Sequence, residues 1–461
     1  MLTRLHVQGF KNLLDVDIRF GPFTCIPGPN GAGKSNLFDA IRFLSLLTKH
    51  PIMEAAQLLR ETKGRSPEPR ALFTAFGGYR APEIRFTAEM IVDREVQDDF
   101  GVTDTASISA LSYCVAFRLA SEDGVERLEL VREELKPITV ANARKNVGFP
   151  ADEAFLGSAI TGVRRGGPFI STSESGKEIT VHQEGHGGRK VPAPKSSRTV
   201  IGGTTTSDFP TVLAAHREMA SWRTLLLEPS AMRAPSLYQD DRVIDSRGAN
   251  LAAAIHRLAK AEQRSASVYS ELSNRLAQLL DDVDELQVRD DPQTETLTLE
   301  VRGRDGIFHP ARSLSDGTLR FLVLATLSLD PDVKGVICLE EPENGIHPER
   351  IAMIVQLLKE IAVDSKYAIG PENTLRQVMV NTHSPEVVRN IRRDDLVYVD
   401  AERVIRDGAA GQVAYISVPP GTWRTRLEGQ APLLAPGRLR AYLGENEQLY
   451  LDFLDGKQQT A

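Results

Sequence analysis

Cysteine, aromatic residues and long apolar runs are all scarce in this chain of 461 residues. The three cysteines, Cys25, Cys114 and Cys338, each lie in a short apolar run, so we expect buried, reduced thiols and neither disulfides nor a metal site. No stretch approaches the roughly 18 consecutive apolar residues that a membrane helix needs. The first residues also lack the basic stretch and apolar block of a secretory signal. We therefore predict a cytoplasmic protein without a membrane span.

Basic residues do not outnumber acidic residues either. The 55 Lys and Arg residues are outnumbered by 62 Asp and Glu residues, which gives a formal net charge of −7. This balance does not indicate a globally basic nucleic-acid binder, although a local basic groove is compatible with it. The length fits two or three domains of about 100–200 residues each.

A glycine-rich segment supplies the first chemical motif. The residues Gly28-Pro-Asn-Gly-Ala-Gly-Lys34-Ser35 match Gly-x4-Gly-Lys-Ser/Thr, and they stand between an apolar strand and an apolar helix that Pro51 should end. In such a loop the glycines let backbone N–H groups approach a nucleotide, Lys34 reaches the β- and γ-phosphates, and Ser35 ligates magnesium. This motif alone would also fit a kinase or a GTPase.

Three later motifs narrow the choice. Leu314-Ser-Asp-Gly-Thr318 looks like the signature loop of ABC ATPases, in which two heads close face to face on ATP. The apolar run before Glu340 and Glu341 follows the Walker B pattern, which places acids at the carboxyl edge of a sheet to hold magnesium and activate water. His383 ends another apolar run, in the place of the ABC switch histidine.

Together with Gly9-Phe-Lys-Asn-Leu13 and Thr382-His-Ser-Pro385, these motifs resemble SMC/RecF-type ABC ATPases, a group that includes the ATPase half of the OLD (overcoming lysogenization defect) nucleases. The resemblance implies an α/β fold: a P-loop head with a mostly parallel central sheet, an antiparallel β subdomain and a β-rich and helical insertion arm. Residues of about 90–230 lie outside the resemblance, and the tail beyond about 400 is weakly covered.

The resemblance also implies cofactors and residue roles. ATP and Mg²⁺ would bind in composite sites of a dimer, each site formed by the P-loop of one chain and the signature of the other. Glu341 would act as catalytic base, His383 would sense the γ-phosphate, and Lys34 would complete the catalytic set. Magnesium would be held by Ser35 and Glu340. The nucleotide-binding residues would be Asn30, Gly31, Gly33, Lys34, Ser35, Asn36, Ser315 and Gly317.

One departure concerns the Walker B acids. The family usually has Asp then Glu, whereas this chain has Glu340 then Glu341. The longer Glu340 could still reach magnesium through water, because magnesium commonly keeps several waters, so we favour a working site over slow hydrolysis or a structural role. Gln57 and Gln97 are the candidates for the Q-loop glutamine.

The pattern along the chain predicts four segments. They are the first part of the head with the P-loop (1–71), a β-rich arm with basic loops (72–245), a helical segment with the rest of the head (246–409), and a tail with a helix from Arg438 to Leu454 (410–461). The turn Glu122-Asp-Gly predicts a hairpin within the arm. The heptads near 251–279 are too short for a coiled coil, which excludes a long-armed SMC protein.

Other clusters are weaker candidates. His182 and His186 could bind a metal, but the residues around them indicate a turn and no third ligand with suitable spacing is evident. The basic residues of the predicted arm are ordinary solvated charges or contacts for nucleic acid or a partner: Arg164, Arg165, Arg189, Lys190, Lys195 and Arg198. Asp394 and Asp395 precede a strand instead of ending one, so we predict no TOPRIM nuclease domain.

We therefore expect an ATPase whose head closure changes how its arm or tail holds a partner or DNA. Homo-dimers or higher homo-oligomers, a separate effector nuclease and DNA are the expected partners, in prokaryotic DNA maintenance or anti-phage defence. Two alternatives stay open. One is a scaffold protein that hydrolyses ATP slowly, and the other is a transporter ATPase, which the large insertion disfavours.

Overall fold

The computed structural model describes residues 1–59, 68–164, 166–182, 188–261, 265–280, 283–427, 431–435 and 437–438. Within these ranges the helices are α1 (Lys34–Lys49), α2 (Ile52–Leu58), α3 (Val140–Val147), α4 (Glu153–Ala159), α5 (Pro210–Ala220), α6 (Pro229–Arg233), α7 (Leu251–Lys260), α8 (Ser265–Leu279), α9 (Asp316–Leu329), α10 (Ile351–Ile361) and α11 (Pro385–Arg389).

The strands of the first half are β1 (Leu2–Phe10), β2 (Leu13–Arg19), β3 (Phe23–Pro27), β4 (Ala75–Phe76), β5 (Tyr79–Arg80), β6 (Ile84–Ile91), β7 (Glu95–Gln97), β8 (Thr103–Thr105), β9 (Ala110–Glu122), β10 (Val125–Pro137), β11 (Ile170–Thr172), β12 (Glu178–His182), β13 (Gly188–Pro192) and β14 (Arg223–Leu225). Those of the second half are β15 (Ser236–Leu237), β16 (Val283–Asp291), β17 (Thr296–Gly303), β18 (Phe308–Pro310), β19 (Gly335–Glu340), β20 (Arg376–Thr382), β21 (Tyr398–Arg406) and β22 (Ala409–Ser417).

A four-stranded parallel sheet, in the order β14-β19-β20-β3, positions the predicted site. Strands β3, β19 and β20 are short, mostly apolar and almost entirely buried, as expected for strands covered on both faces, whereas the edge strand β14 is partly exposed. The register places Leu339 beside Val380 and Val380 beside Cys25. Because all four strands run the same way, the segments that follow them meet at one edge.

An eight-stranded antiparallel sheet, in the order β13-β12-β11-β10-β9-β6-β1-β2, forms the second layer. The P-loop helix α1 lies between the two sheets. Phe38 and Phe43 of α1 share one core with Phe86 of β6 and with Cys338 of β19. On the opposite face of the parallel sheet, Ile337 and Val380 pack with α7, α9 and α10 in a second core.

The predicted arm is built onto the head. Strands β6 and β9–β13, from the segment predicted as 72–245, pair in one sheet with β1 and β2, from the segment predicted as 1–71. The stretch 157–206, within the segment predicted as an arm with basic loops, contributes three short strands to that sheet. The four segment boundaries themselves stay predictions.

Hairpins also lie outside the parallel sheet. Strand β21 begins at Tyr398 and runs to Arg406 as half of the β21–β22 hairpin. The hairpin turn at Asp123 and Gly124 joins β9 to β10. Most of the helix expected from Arg438 to Leu454 lies outside the described residues. Across the described residues, every helix is too short or too polar to span a bilayer.

Candidate nucleotide site

The glycine loop joins the buried strand β3 to the first turn of α1. Gly33 precedes the helix with φ 115°, a conformation that favours glycine, and a Cβ there would lie 2.7 Å from the side chain of Asn12. No side chain caps this helix start, and its first turn carries no acidic residue. The free N–H groups and the helix dipole therefore suit the binding of an anion such as phosphate.

Lys34 lies against the same loop. Its Nζ donates hydrogen bonds to the carbonyl oxygens of Gly28 (2.7 Å) and Pro29 (2.9 Å). Burial lowers the pKa of this ammonium group, and the nearby carboxylates of Glu341 and Glu340 act in the opposite direction. The structure thus places the cation between the loop and the two Walker B acids.

Asn12 supports the loop from the first hairpin. Its Nδ2 donates to the carbonyl oxygen of Ala32 (3.2 Å), and its Oδ1 accepts from Nδ2 of Asn36 (2.8 Å). The neighbouring Lys11 forms an ion pair with Asp39 of α1. The sequence showed these residues only as part of a family motif, and the structure shows their physical task, which is to hold the loop on α1.

Ser35 and Glu340 form the candidate magnesium site. Ser35 Oγ donates to Glu340 Oε2 at 3.1 Å, so the longer acid reaches the serine directly. Two ligands at about 2.1 Å in neighbouring octahedral positions are about 3 Å apart, and the pair therefore fits Mg²⁺. Burial raises the pKa of Glu340 and the hydrogen bond from Ser35 opposes that rise. Within the described ranges, no group of three or more His, Cys, Asp or Glu residues could hold a metal by itself.

Glu341 stands at the start of the next turn, with a positive φ of 46°. Its Oε1 lies 2.9 Å from Nδ1 of His383, and its Oε2 accepts from Nδ2 of Asn344 at 2.8 Å. Its backbone N–H donates to Asn381, at 3.0 Å to Oδ1 and 3.2 Å to the carbonyl oxygen. The backbone strain at this residue is therefore supported by contacts from β20 and the residue after it, and from Asn344 in the loop that follows Glu341.

The charge state of Glu341 follows from these contacts. Burial raises the pKa of its carboxyl group, but hydrogen bonds from Asn344 and His383 and the charge of Lys34 together bring that pKa below its ordinary value. An ionised carboxylate can orient water and accept a proton. No pattern in the sequence gave Asn344 or Asn381 a role, although both stand within five residues of a predicted site residue.

The signature segment caps helix α9. Ser315 Oγ accepts from the backbone N–H of Thr318 (3.2 Å) and lies 2.7 Å from its hydroxyl. A Cβ on Gly317 would lie 2.7 Å from the carbonyl oxygen of Gly345, so the glycine lets α9 approach the loop after the Walker B acids. Arg233 of α6 donates to the carbonyl oxygen of Leu314 (3.1 Å) and pairs with Asp316.

The remaining candidates make ordinary structural contacts. Gln57 is exposed on α2, and Gln97 of β7 donates to the carbonyl oxygen of Gly101 at 3.1 Å. His182 lies 2.7 Å from Ser171 Oγ across the β11–β12 pair. His186, the second histidine of that disfavoured metal pair, is outside the described residues. Cys25 and Cys338 are buried free thiols, and Cys114 is partly buried.

The basic residues of the predicted arm are partly occupied within the chain. Lys190 pairs with Glu178 (3.0 Å), and Arg198 donates to the carbonyl oxygen of Lys49 (3.2 Å). Arg164 stacks over the ring of Phe169 at 4.1 Å, and Arg165 is outside the described residues. This region therefore offers exposed cations but not a set dedicated to one ligand.

Two family models match the chain. The model for the RecF/RecN/SMC N terminal domain matches residues 1–61, which contain the P-loop. The model described as "AAA domain, putative AbiEii toxin, Type IV TA system" matches residues 207–389, which contain the signature, the Walker B acids and His383. The matches support an SMC/RecF-like ABC-type ATPase. Residues 62–206 lie outside both models.

Curated relatives match this chain over short stretches. A DNA replication and repair protein RecF from Porphyromonas gingivalis is 43% identical over 51 residues, which are 11% of this chain and 14% of RecF. An OLD nuclease from Thermus scotoductus is 54% identical over 41 residues, which are 9% of this chain and 8% of the nuclease. A RecF from Magnetococcus marinus is 49% identical over 94 residues, or 25% of its length. The chain thus spans a quarter or less of these relatives.

Solved SMC heads align over most of this chain. An SMC head bound to the C-terminal winged-helix domain of ScpA is 15% identical with a TM-score of 0.47, covering 90% of this chain and 97% of that one. The SMC head domain from Thermotoga maritima is also 15% identical, with a TM-score of 0.37 and coverage of 89% and 98%.

Proposed function

We propose that this protein hydrolyses ATP in the presence of Mg²⁺ and that two copies close on the nucleotide. The observation that carries the proposal is the meeting of the P-loop, Glu340, Glu341 and His383 at one edge of three neighbouring parallel strands. This arrangement brings an anion-binding loop, a candidate magnesium site and an ionised carboxylate together, which is the set that phosphoryl transfer to water requires.

Each residue then has a defined task. The N–H groups of the P-loop and Lys34 bind the phosphates, and Ser35 and Glu340 hold Mg²⁺, which would neutralise developing charge. Glu341 orients water and accepts its proton, while Asn344 donates to its carboxylate and Asn381 accepts from its backbone N–H and so fixes the residue. His383 contacts Glu341 and is proposed to contact the γ-phosphate as well, so that it would respond to the loss of that phosphate. Asn30, Gly31 and Asn36 are also proposed to bind the nucleotide.

In the proposed dimer, each copy supplies its signature segment to the nucleotide bound by the other copy. Ser315 and Gly317 make their described contacts to α9 and to Gly345, and they are proposed to act on the nucleotide of the partner copy. The proposal predicts that neither Lys34→Ala nor Ser315→Arg protein hydrolyses ATP, because each homodimer lacks one half of both sites. Mixing the two variants should restore phosphate release, since some dimers then contain one intact composite site. Inactive mixtures that stay monomeric in ATP would contradict the sandwich.

A slow-hydrolysing scaffold is the second candidate, and Glu340 in place of the usual Asp is the feature that favours it. Comparing phosphate release by wild-type protein, Glu340→Asp and Glu341→Gln separates the two. Rapid wild-type turnover that only Glu341→Gln abolishes supports the ATPase. A large gain in Glu340→Asp over a nearly inactive wild type supports the scaffold.

The proposed partners are inferred from the names of the proteins that this chain resembles. RecF relatives are named for DNA replication and repair, and an OLD relative is named a nuclease. We expect DNA or a separate nuclease to bind the arm or tail when the heads close, in DNA maintenance or anti-phage defence in the cytoplasm. Co-purification with ATP-trapped Glu341→Gln protein, compared with Lys34→Ala protein, identifies what binds only the closed form.

A further inference from the structure

A cavity of about 500 Å³ lies beside the P-loop and has no task in the proposed reaction. Its walls come from four separate segments: the turn after β1, the first turn of α1, the segment 68–80 that contains β4 and β5, and strand β22. The volume falls within the roughly 300–1,000 Å³ of sites that bind small molecules. We call it the side cavity, and its lining includes Asn12, Asn36, Thr74, Phe76 and Gln412.

The side cavity adjoins the place where phosphates are proposed to bind. Asn36 lies in the first turn of α1, directly after Ser35, and its Nδ2 donates to Oδ1 of Asn12 at 2.8 Å. Asn12 in turn donates to the carbonyl oxygen of Ala32 in the P-loop at 3.2 Å. The two asparagines therefore form both the support of the P-loop and one wall of the cavity. A nucleotide with its phosphates on the P-loop would have this cavity within reach of its nucleoside part.

An aromatic ring is fixed at another wall of the side cavity. Phe76 of β4 packs on Tyr79 of β5, with 5.1 Å between the ring centroids. The same ring lies against the backbone of β22, where a Cβ on Gly411 would overlap it. Phe76 is nevertheless only partly buried. A partly exposed aromatic ring is the kind of surface on which nucleobases stack.

Two uncharged polar side chains line the same cavity. Thr74 is 1% exposed, and among the described residues its Oγ1 is buried without a hydrogen-bond partner. Its backbone N–H and carbonyl oxygen are already paired with Gly9 and Ala81, both at 2.8 Å. Gln412 of β22 is exposed and carries an amide, which can donate one hydrogen bond and accept another side by side. Such an amide matches the N6 donor and the N7 acceptor of adenine.

The cations of the side cavity have acidic neighbours within the chain. Lys11 forms its ion pair with Asp39, and Arg70 donates two hydrogen bonds to Glu126, at 2.6 and 2.7 Å. The hydrogen bonds and the charge of Arg70, with a smaller contribution from Arg80, lower the pKa of Glu126, so this acid is ionised beside both arginines. The wall thus balances much of its own charge, which favours an uncharged base over a further phosphate group.

We propose that the side cavity binds the adenine base of the nucleotide held by the P-loop, with Phe76 stacking on the base and Gln412 pairing with its edge. This inference rests on the proposed function, because the triphosphate must lie on the P-loop. The P-loop, the Walker B acids and His383 face only phosphates and Mg²⁺, which all nucleoside triphosphates share. Gln412 therefore determines the choice of ATP over GTP, since guanine has an acceptor, O6, where adenine has the N6 donor.

Calorimetric titration with three ligands tests the base contact: ATP, GTP and inorganic tripolyphosphate, each with Mg²⁺. Tripolyphosphate has no base and reports on the P-loop alone. Wild type should bind ATP about tenfold more tightly than either other ligand. Gln412→Ala should bring the Kd values of ATP and GTP within about twofold of each other and leave the Kd of tripolyphosphate unchanged. A preference for ATP that persists in Gln412→Ala would overturn the proposal.

Phe76→Leu tests the stacking. Leucine keeps an apolar contact with Gly411 but lacks the flat ring, so the Kd of ATP and that of GTP should each rise about fivefold or more, while the Kd of tripolyphosphate stays the same. Phe100→Leu and Gln293→Ala are the matched controls, because both residues are exposed and lie outside the side cavity. Each control should leave all three Kd values within about twofold of wild type. An equal loss of tripolyphosphate binding in Phe76→Leu would show that the β4–β5 hairpin only supports the P-loop, and it would overturn the stacking.

The outcomes distinguish this inference from the proposed function. A wild-type protein that binds neither ATP nor tripolyphosphate contradicts the proposed function and the base site with it. A wild type that binds tripolyphosphate as tightly as ATP, or GTP as tightly as ATP, contradicts the base site alone. Lys34→Ala should weaken the binding of all three ligands, because it removes the phosphate contact that they share.

Discussion

Two buried glutamates, one in each sheet region, show how the same side chain is used differently. Glu133 of the antiparallel sheet is fully buried, and both of its oxygens are occupied by the hydroxyl of Tyr113 (3.1 Å) and the N–H groups of Val200 (2.7 Å) and Ile201 (2.8 Å). Glu343, beside the nucleotide edge, has one buried oxygen without a partner. A carboxyl group whose two oxygens both have hydrogen-bond partners stabilises one geometry, whereas a carboxyl group with one unpartnered oxygen can still form another contact.

The contacts of Glu133 also explain why the antiparallel sheet belongs to the head. The segment that it holds, 199–203, reaches the P-loop helix, because Thr199 Oγ1 donates to the carbonyl oxygen of Leu47 at 3.1 Å. His216 Nδ1 lies 2.8 Å from the carbonyl oxygen of Ile201. The antiparallel sheet therefore supports the far end of α1, while the parallel sheet presents the chemistry at its near end.

The largest expected effect is on catalysis. Glu341→Gln removes the proposed proton acceptor but keeps the side-chain size, so phosphate release should fall about 10²–10³-fold. Its Tm should stay close to wild type, because the residue is only partly buried. Steady-state phosphate release and thermal melting measure the two quantities. Unchanged turnover would show that Glu341 is not the base.

The matched change in the other region should affect stability instead. In the wild type, backbone N–H groups donate to the carboxyl oxygens of Glu133. Glu133→Gln places an amide N–H₂ against one of these N–H groups, which should lower the free energy of unfolding by about 1–3 kcal/mol. Chemical unfolding measures this loss. Turnover per folded molecule should remain within about twofold of wild type, since Glu133 is not at the nucleotide edge. A loss of turnover at unchanged stability would contradict the expected difference between the two regions.

A smaller effect concerns pH. Burial raises the pKa of Glu133 from 4.5 to about 7, against its hydrogen bonds to Ile201, Val200 and Tyr113. The folded protein thus binds this proton more tightly than the unfolded chain does, and stability falls as pH rises through this interval. From pH 5.5 to 7.5, wild type should lose about 2 kcal/mol relative to Glu133→Gln. His216 is present in both proteins, so its contribution to the pH dependence cancels in the comparison. Parallel stability curves would contradict the assignment.

The smallest expected effect is at His182. His182→Ala removes one hydrogen bond to Ser171 on the antiparallel sheet and should change the unfolding free energy by about 1 kcal/mol or less. Turnover and the metal content of the purified protein should not change. A loss of bound transition metal in this variant would give the antiparallel sheet a chemical role and remove the contrast between the regions.

Local patterns predicted much of the nucleotide edge. The strands before Gly28, Glu340 and His383 are short apolar runs, and the residues that end them are adjacent to their motifs in sequence. The contacts of Asn12 and Asn344 were not predicted, because a single asparagine carries no periodic signal and each acquires its partner only when the chain folds. The attachment of the predicted arm was missed for the same reason, since the pairing of β1 with β6 joins residues about 80 positions apart.

The sequence by itself determined the order of the motifs, the apolar strands that precede them and the acids at the Walker B position, because these depend on residue type and short spacing. The tertiary structure alone decided that Glu340 reaches Ser35 across 305 positions, that His383 and Asn344 share one carboxylate, and that Glu133 is satisfied while Glu343 is not. Burial and hydrogen-bond satisfaction depend on which distant segments pack together, and no local pattern contains that information.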